Sequence, residues 1–239
     1  MDINNFKVRR AELSDLDRII DITIAAADDH ALIAFIYPHR HQFPADNRYG
    51  WTVLLRPMLY EPSSTVLVAE TWDENKSVVV AWVEWEWIPG KSGLMPPELC
   101  IRDTWTNSFW RQYYDYKTTI TRSLWPRRDD DPEHRKIWVA TKNTIYEKHW
   151  LGRAPILYLS ALYTDPQFQG KGAGRLLKDW GLELARSISV PVGLSANHPR
   201  SVDIYKHWCF QEIEIVRMQK EGEEERVDVS VLVLPPALN

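Results

Sequence analysis

The sequence predicts an α/β domain with α+β layering, in which helices flank a mixed sheet. Two observations support this fold class: strand pairs joined as hairpins near both ends of the chain, and a strand–loop–helix–strand unit over residues 155–196. Hairpins make antiparallel neighbours, whereas a helical crossover joins parallel strands. The 239 residues are 44% hydrophobic, which is ordinary for a packed core, so we expect one domain over residues 1–239.

The first part of the chain predicts a strand, two helices and a hairpin. In chain order these are residues 6–10, 14–28, 47–60, 65–71 and 78–87. Ser14 is the predicted N-cap of the first helix, with Asp17 as its acidic first-turn partner. Pro57 disturbs the second helix. Alternation in the last strand places Trp82, Glu84 and Glu86 on one face.

Residues 88–150 predict a helical, aromatic-rich insertion, with one helix over 104–125 and another that ends at Trp150. Its aromatic residues include Trp105, Phe109, Trp110, Tyr113, Tyr114, Tyr116 and Trp125. Three interpretations stay open at this point: packing against the sheet, a lid over an acceptor site that favours hydrophobic amines, and the interface of a homodimer.

The last third of the chain predicts strands and helices in alternation, followed by a closing hairpin. The segments are residues 155–164, 174–187, 190–196, 199–208, 210–219 and 227–234. In the first of these helices, Leu176, Leu177, Trp180 and Leu184 fall on one side, which is the spacing of an amphipathic helix.

A glycine-rich loop, Gln169-Gly-Lys-Gly-Ala-Gly174, connects the strand to that helix. Glycines lack Cβ, so the backbone can approach a ligand closely and adopt unusual dihedral angles. The unpaired N–H groups and the dipole of the following helix favour an anion such as a pyrophosphate. Lys171 and Arg175 add positive charge at the rim. The spacing fits neither a Rossmann fingerprint nor a Walker A loop, and the alternative is a tight turn that binds nothing.

Gln169-x-x-Gly172-x-Gly174, preceded by a strand and Asp165-Pro166, resembles the Q/R-x-x-G-x-G/A motif of the GCN5-related N-acetyltransferases. Tyr205-Lys-His-Trp-Cys-Phe210 is similar to the second cofactor segment of that family, which usually ends Tyr-x-x-x-Gly-Phe. The specific resemblance covers about residues 155–210. It implies a mixed, mostly antiparallel, twisted sheet, with the helical insertion placed before the cofactor-binding strand.

The resemblance also implies acetyl-CoA as co-substrate. The strand around Leu162, Tyr163 and Thr164 should splay away from strand 190–196, and its backbone should bind the pantetheine arm in the gap. The residues implied in binding the pyrophosphate are Gln169, Gly170, Lys171, Gly172, Ala173, Gly174 and Arg175. Asn197 is one residue off the usual spacing, so its cofactor contact is expected there or at His198. Cys209 replaces the usual glycine, which indicates a different turn geometry.

Acetyl transfer to an amine needs a neutral nucleophile and a proton for the leaving thiolate. Tyr205 matches the position of the family's general-acid tyrosine, and a phenol suits that task. The alternative is a core aromatic residue. Glu84 is the candidate base, because burial beside Trp82 would raise the pKa of its carboxyl group. The alternatives are that Glu84 lies on the solvated face of an outer strand, and that a water chain removes the proton.

The expected function is transfer of an acetyl group to a primary amine of a small molecule, by direct attack in a ternary complex. The alternatives are acetylation of proteins or peptides, and a non-catalytic acyl-CoA-binding module. A net charge of −4 argues against a nucleic-acid partner, and no apolar run reaches membrane-spanning length. Cys100 and Cys209 lack metal-ligand spacing. We therefore expect no metal and a cytoplasmic location.

Overall fold

The computed structural model describes residues 6–73, 76–90, 95–99, 104–124, 126–152 and 155–236. The strands are β1 (Lys7–Arg10), β2 (Ser64–Asp73), β3 (Lys76–Ile88), β4 (Ile156–Thr164), β5 (Val192–Ala196), β6 (Gln211–Gln219) and β7 (Arg226–Leu234). The helices are α1 (Leu16–Ala26), α2 (Ala31–Ile36), α3 (Pro44–Leu55), α4 (Trp105–Leu124), α5 (Pro132–Ile145), α6 (Ala173–Ser187) and α7 (Pro199–His207). A π-helical turn, Tyr146–Trp150, continues α5.

The seven strands form one sheet in the order β1-β2-β3-β4-β5-β7-β6. Only the β4–β5 pair is parallel, and every other neighbouring pair is antiparallel. Because α6 connects β4 to β5, this single parallel pair follows from the helical crossover. The predicted fold class, a mixed and mostly antiparallel sheet with flanking helices, is confirmed.

A gap opens in the sheet between β4 and β5. The two strands pair only at Leu157, Tyr158 and Leu159 of β4. The register of β4 against β3 then shifts by one residue at Ser160, which is a β-bulge. Bulges bend a strand and increase its twist. β4 therefore leaves β5 after the bulge, and the splay expected at residues 162–164 is observed.

Apolar side chains cover both faces of the sheet, and successive side chains of β3 point alternately to one face and to the other. Val83 and Trp85 pack in the layer beneath α6 with Leu177, whereas Trp82 packs in the layer beneath α1 with Ile19. A third cluster joins α2, α5 and β7 at the other end of the molecule. Residues 82 and 83 therefore belong to opposite layers, as period-two alternation predicts.

The start of the first helix differs from the prediction. Glu12 and Asp15 form a capping box around a 3-10 turn, Leu13–Asp15, in place of Ser14 and Asp17. The Asp15 carboxylate accepts a hydrogen bond from the Glu12 amide at 2.8 Å and is also ion-paired with Arg9 at 2.7 Å. The additional ion pair with Arg9 favours Asp15 as the capping residue, and the spacing of residues in the sequence could not reveal this ion pair.

Two further elements refine the predictions. Helix α2 has only six residues, too few for a helical period to be visible in the sequence, and it was not predicted. Helix α3 begins at Pro44, a favourable first helical position, and a 3-10 turn follows at Pro57–Tyr60. Both helices of the predicted insertion are present, although Trp125 and Cys100 lie outside the described residues. None of the helices described is long and apolar enough to cross a membrane.

Candidate functional site

A cleft of about 660 Å³ lies where β4 has left β5. The unpaired half of β4, the glycine-rich loop, the start of α6 and helix α7 line it. Most of the predicted cofactor residues gather in this lining, together with Tyr205: Leu162, Tyr163, Thr164, Gln169, Gly170, Gly172, Ala173, Gly174 and Arg175. Lys171, Asn197 and Glu84 do not belong to it.

The turn between β4 and the loop is anchored by Asp165. Its carboxylate accepts from the Gln167 amide at 2.9 Å, which caps the 3-10 helix Pro166–Phe168. The guanidinium of Arg18, in α1, donates to the other carboxylate oxygen and to the carbonyl of Val79. These bonds tie the end of β4 to α1 and β3, so the loop begins from a fixed position.

The glycines of the loop have separate structural tasks. Gly170 and Gly172 have φ angles of +74° and +97°, a left-handed conformation that side chains disfavour. Gly172 is the N-cap of α6 and supplies no side chain to satisfy the first N–H groups of the helix. At Gly174, a Cβ atom would lie 2.9 Å from Thr164 Oγ1, so glycine permits the close approach of α6 to β4. The result is an uncapped helix N-terminus that faces the cleft, which suits a diphosphate.

The basic side chains near this loop have neighbours of their own. Lys171 Nζ lies 4.7 Å from the centre of the Phe168 ring, and Arg175 Nε lies 3.4 Å from Asp179. Gln169 Nε2 donates to the Thr164 carbonyl at 3.3 Å. The positive character of the cradle therefore comes first from backbone N–H groups.

Tyr205 enters the cleft from α7 and is half-buried. Its ring meets Trp208 and Phe210 edge-on, each at a centroid distance of 5.7 Å. Burial raises the pKa of Tyr205 above its ordinary value, and nearby Tyr163 acts in the same direction. The phenol therefore keeps its proton at neutral pH. Cys209 has a φ of +68°, the conformation that glycine favours, so the expected change of turn geometry is not observed.

The cleft also contains two histidines that face each other, and the sequence did not predict that they lie together. His30, just before α2, lies across from His198 with ring centroids 4.9 Å apart, and it stacks near Tyr163 at 6.2 Å. Burial lowers the pKa of His30, as does His198, whereas Asp29 raises it. His198 was named only as a substitute for Asn197. Nothing in the sequence indicated that His30 lies in the cleft, because the short helix α2 was not predicted.

Glu84 lies in the interior of β3, opposite Ala161 of β4, and is only 5% exposed. One carboxylate oxygen accepts from Ser64 Oγ at 2.8 Å, while the other is buried without a hydrogen-bond partner in the described parts of the chain. Burial raises the pKa of Glu84, and the Ser64 and Ser160 hydroxyls partly oppose this shift. The alternative, the solvated face of an outer strand, is wrong, because Glu84 is buried and β3 has a neighbour on each side.

Helix α4 lies apart from the cleft, whose lining includes no residue from the described insertion. It packs instead on the 3-10 turn Pro57–Tyr60, where Tyr114 stacks on Tyr60 at a centroid distance of 5.9 Å. Among the residues that the structure describes, no group of three or more His, Cys, Asp or Glu side chains could hold a metal ion.

Comparison with known proteins gives relatives at low identity and over nearly full length. No protein-family model matches the chain. An acetyltransferase of Stachybotrys chartarum is 22% identical over 219 residues, which cover 90% of this chain and 85% of the relative.

Solved structures with the same fold are acetyltransferases. A histone acetyltransferase HPA2 and related acetyltransferase of Corynebacterium glutamicum has a TM-score of 0.60 at 16% identity, over 98% of both chains. Arylalkylamine N-acetyltransferase 2 of Aedes aegypti has a TM-score of 0.57 at 13% identity, over 97% of this chain and 99% of the other. For the polyamine N-acetyltransferase of Drosophila melanogaster, which forms N-acetylagmatine, the values are 0.51 and 16%, over 96% and 99%.

The fold and the cleft together define the class: the chain has the fold of the GCN5-related N-acetyltransferases. The resemblance recognised in the glycine-rich loop is confirmed at the level of the fold, and the prediction of an acetyltransferase agrees with the curated relative, which is named an acetyltransferase.

Proposed function

We propose that this protein is an acetyl-CoA-dependent N-acetyltransferase whose acceptor is a primary amine of a small molecule. One observation supports this more than any other: the gap between β4 and β5 leads directly to an uncapped glycine-rich helix N-terminus. An extended arm that ends in a diphosphate fits such a path. Two solved structures of the same fold are enzymes named for arylalkylamine and polyamine acceptors.

The chain offers a binding group for each part of the co-substrate. The backbone of β4 at Leu162 and Thr164 has no β5 partner, so its polar groups are available to the pantetheine amides, apart from the Thr164 carbonyl, which accepts from Gln169. The amides of residues 170–175 serve the pyrophosphate, and His198 occupies the side of the cleft where the resemblance expected Asn197. The thioester supplies the activated acetyl group.

The proton transfers fall to side chains that line the cleft. His30 takes a proton from the amine, since its lowered pKa leaves the imidazole neutral at pH 7. The neutral amine nitrogen then forms a bond to the acetyl carbon and the carbon–sulfur bond breaks. Tyr205 donates its proton to the leaving thiolate and takes back the second proton that the nitrogen loses as the amide forms. Asp29 and Asp203, also in the lining, attract a cationic amine to the cleft.

Release of free thiol tests this proposal. The protein with acetyl-CoA and a panel of primary amines should release thiol, and Tyr205→Phe should lower kcat by roughly 10²–10⁴-fold, the usual contribution of a general acid. The affinity for coenzyme A, measured by calorimetry, should change little. Tyr146→Phe is the matched control, because this tyrosine is also partly buried but lies on the π-helical turn after α5.

Other outcomes separate the alternatives. Turnover of peptides but not of small amines would place the acceptor among proteins, and tight coenzyme A binding without any turnover would indicate a binding module. A protein that binds no coenzyme A would remove the proposal altogether.

A further inference from the structure

Helix α4 presents its apolar side to solvent. Six large side chains recur at intervals of four, four, three, four and four residues along its 20 residues, or about 30 Å. Their exposed fractions run from 39% at Ile120 to 81% at Trp105. We call this set the α4 stripe: Trp105, Phe109, Tyr113, Tyr116, Ile120 and Leu124.

The opposite side of α4 attaches the helix to the molecule through polar and aromatic contacts. The Arg56 guanidinium lies 5.0 Å from the centre of the Tyr114 ring, which also stacks on Tyr60. Arg111 reaches Glu61 at 4.0 Å. The helix is therefore inverted relative to the usual arrangement, in which the apolar side of an amphipathic helix faces the core.

The area of the stripe matches what a protein interface requires. At roughly 150–250 Å² for each large side chain, the exposed fractions amount to about 500–850 Å². Monomers rarely leave a contiguous apolar patch of more than a few hundred Å² in water, and each partner of a standard interface contributes roughly this area. Phe109 and Tyr113 already stack at a centroid distance of 6.4 Å, so part of the surface is ordered in advance.

We infer that the α4 stripe binds the α4 stripe of a second copy, with the two helices antiparallel about a two-fold axis. The stripe tapers from Trp105 and Phe109 at its start to Ile120 and Leu124 at its end. An isologous, antiparallel pair places the wide end of each helix against the narrow end of its partner, so the volumes complement each other. A lipid surface is disfavoured, because interfacial helices carry many basic residues on their outward side. Among the described side chains of α4, Lys117 is exposed, but Arg111 is directed inward to Glu61.

Sedimentation equilibrium and light scattering on the whole chain test this inference without reference to catalysis. The wild-type protein should be a dimer at micromolar concentration, and the double variant Tyr116→Glu, Ile120→Glu should be a monomer. Val139→Glu is the matched control, because Val139 is an exposed apolar residue of the neighbouring helix α5 and should leave the dimer intact. Circular dichroism should show the same helix content in all three proteins.

Each contrary result would overturn the dimer. A wild-type monomer excludes it, and a double variant that stays dimeric excludes the stripe as the interface. If the wild-type protein is monomeric and floats with phosphatidylcholine–phosphatidylglycerol vesicles while the double variant does not, the stripe binds lipid instead. If the wild-type protein is monomeric and the double variant loses helix content, the stripe packs within one chain, which also contradicts the inference.

Discussion

Helices α6 and α4 have similar amphipathic sequences and opposite surroundings. Helix α6 lays its apolar side on the sheet, where Ala173, Leu177 and Leu182 are buried. Helix α4 turns its polar side inward and leaves its aromatic side exposed. A helical period in the sequence therefore identifies the apolar side of a helix, but it does not show whether the same chain covers that side.

The difference has a local cause on the α6 side. Gly181 faces the Trp85 ring, and a Cβ atom there would come within 2.1 Å of it. Trp85 Nε1 donates to the Leu177 carbonyl at 3.4 Å. Because Gly181 has no side chain, α6 can pack closely against Trp85 of β3. Where α4 meets the segment of residues 57–61, its contacts come instead from the bulky side chains of Tyr114 and Arg111.

The largest expected effect concerns which residue supplies the catalytic base. His30 lines the cleft, whereas Glu84 is buried within β3 and does not belong to the cleft lining. His30→Gln should lower kcat/KM by roughly 10²–10⁴-fold, and Glu84→Gln should have a much smaller effect.

The pH profiles of the two variants distinguish these residues, because only loss of the true base removes the acid limb. His30 must be neutral to accept a proton, so wild-type activity should be present above its pKa and lost as pH falls through that value, which lies below 6.5. The assay should use an aromatic amine as acceptor. Such an amine is neutral over this pH range, so its own titration does not contribute to the profile. If Glu84→Gln abolishes the acid limb while His30→Gln retains it, the assignment of the base is wrong.

The next effect concerns stability. Leu177→Ala empties a fully buried position under α6 and should lower the free energy of unfolding by roughly 2–5 kcal/mol. Trp105→Ala removes a larger side chain from α4, yet it should change that free energy by no more than about 0.5 kcal/mol, because the side chain is exposed. Urea titration at low protein concentration measures both, since dilution removes the contribution of a dimer. Equal losses would show that α4 is packed as tightly as α6.

The smallest expected effect tests whether the N-terminus of α6 contributes to coenzyme A binding. Gly172→Val forces a branched side chain into a φ of +97°, at a strain of roughly 1–3 kcal/mol, and displaces the amides of the cradle. The Kd for coenzyme A should rise by roughly 10–100-fold. Gly222→Val carries comparable strain at φ +85° in the β6–β7 turn, with open space around it. This control should lose stability but bind coenzyme A as the wild type does; equal affinities in the two variants would contradict the cradle.

Much of the fold could be predicted because its signals are local. The glycines of the loop, the alternation along β3 and the amphipathic period of α6 are each visible within a few residues of sequence. The cap at Asp15 could not be predicted, since it depends on Arg9 from another element. The sequence left open whether Glu84 is buried or solvated, because its burial depends on the neighbours that β3 acquires in the sheet.

The same division holds for the site. By itself, the sequence determined the strand, the glycine-rich loop and the helix that make an anion cradle, because backbone dihedrals and hydrogen bonds of adjacent residues are short-range properties. Only the tertiary structure decided that His30 meets His198, that Glu84 lies outside the cleft and that α4 turns its aromatic side outward. These facts depend on contacts between segments far apart in the chain, and such contacts are set by packing of the whole molecule.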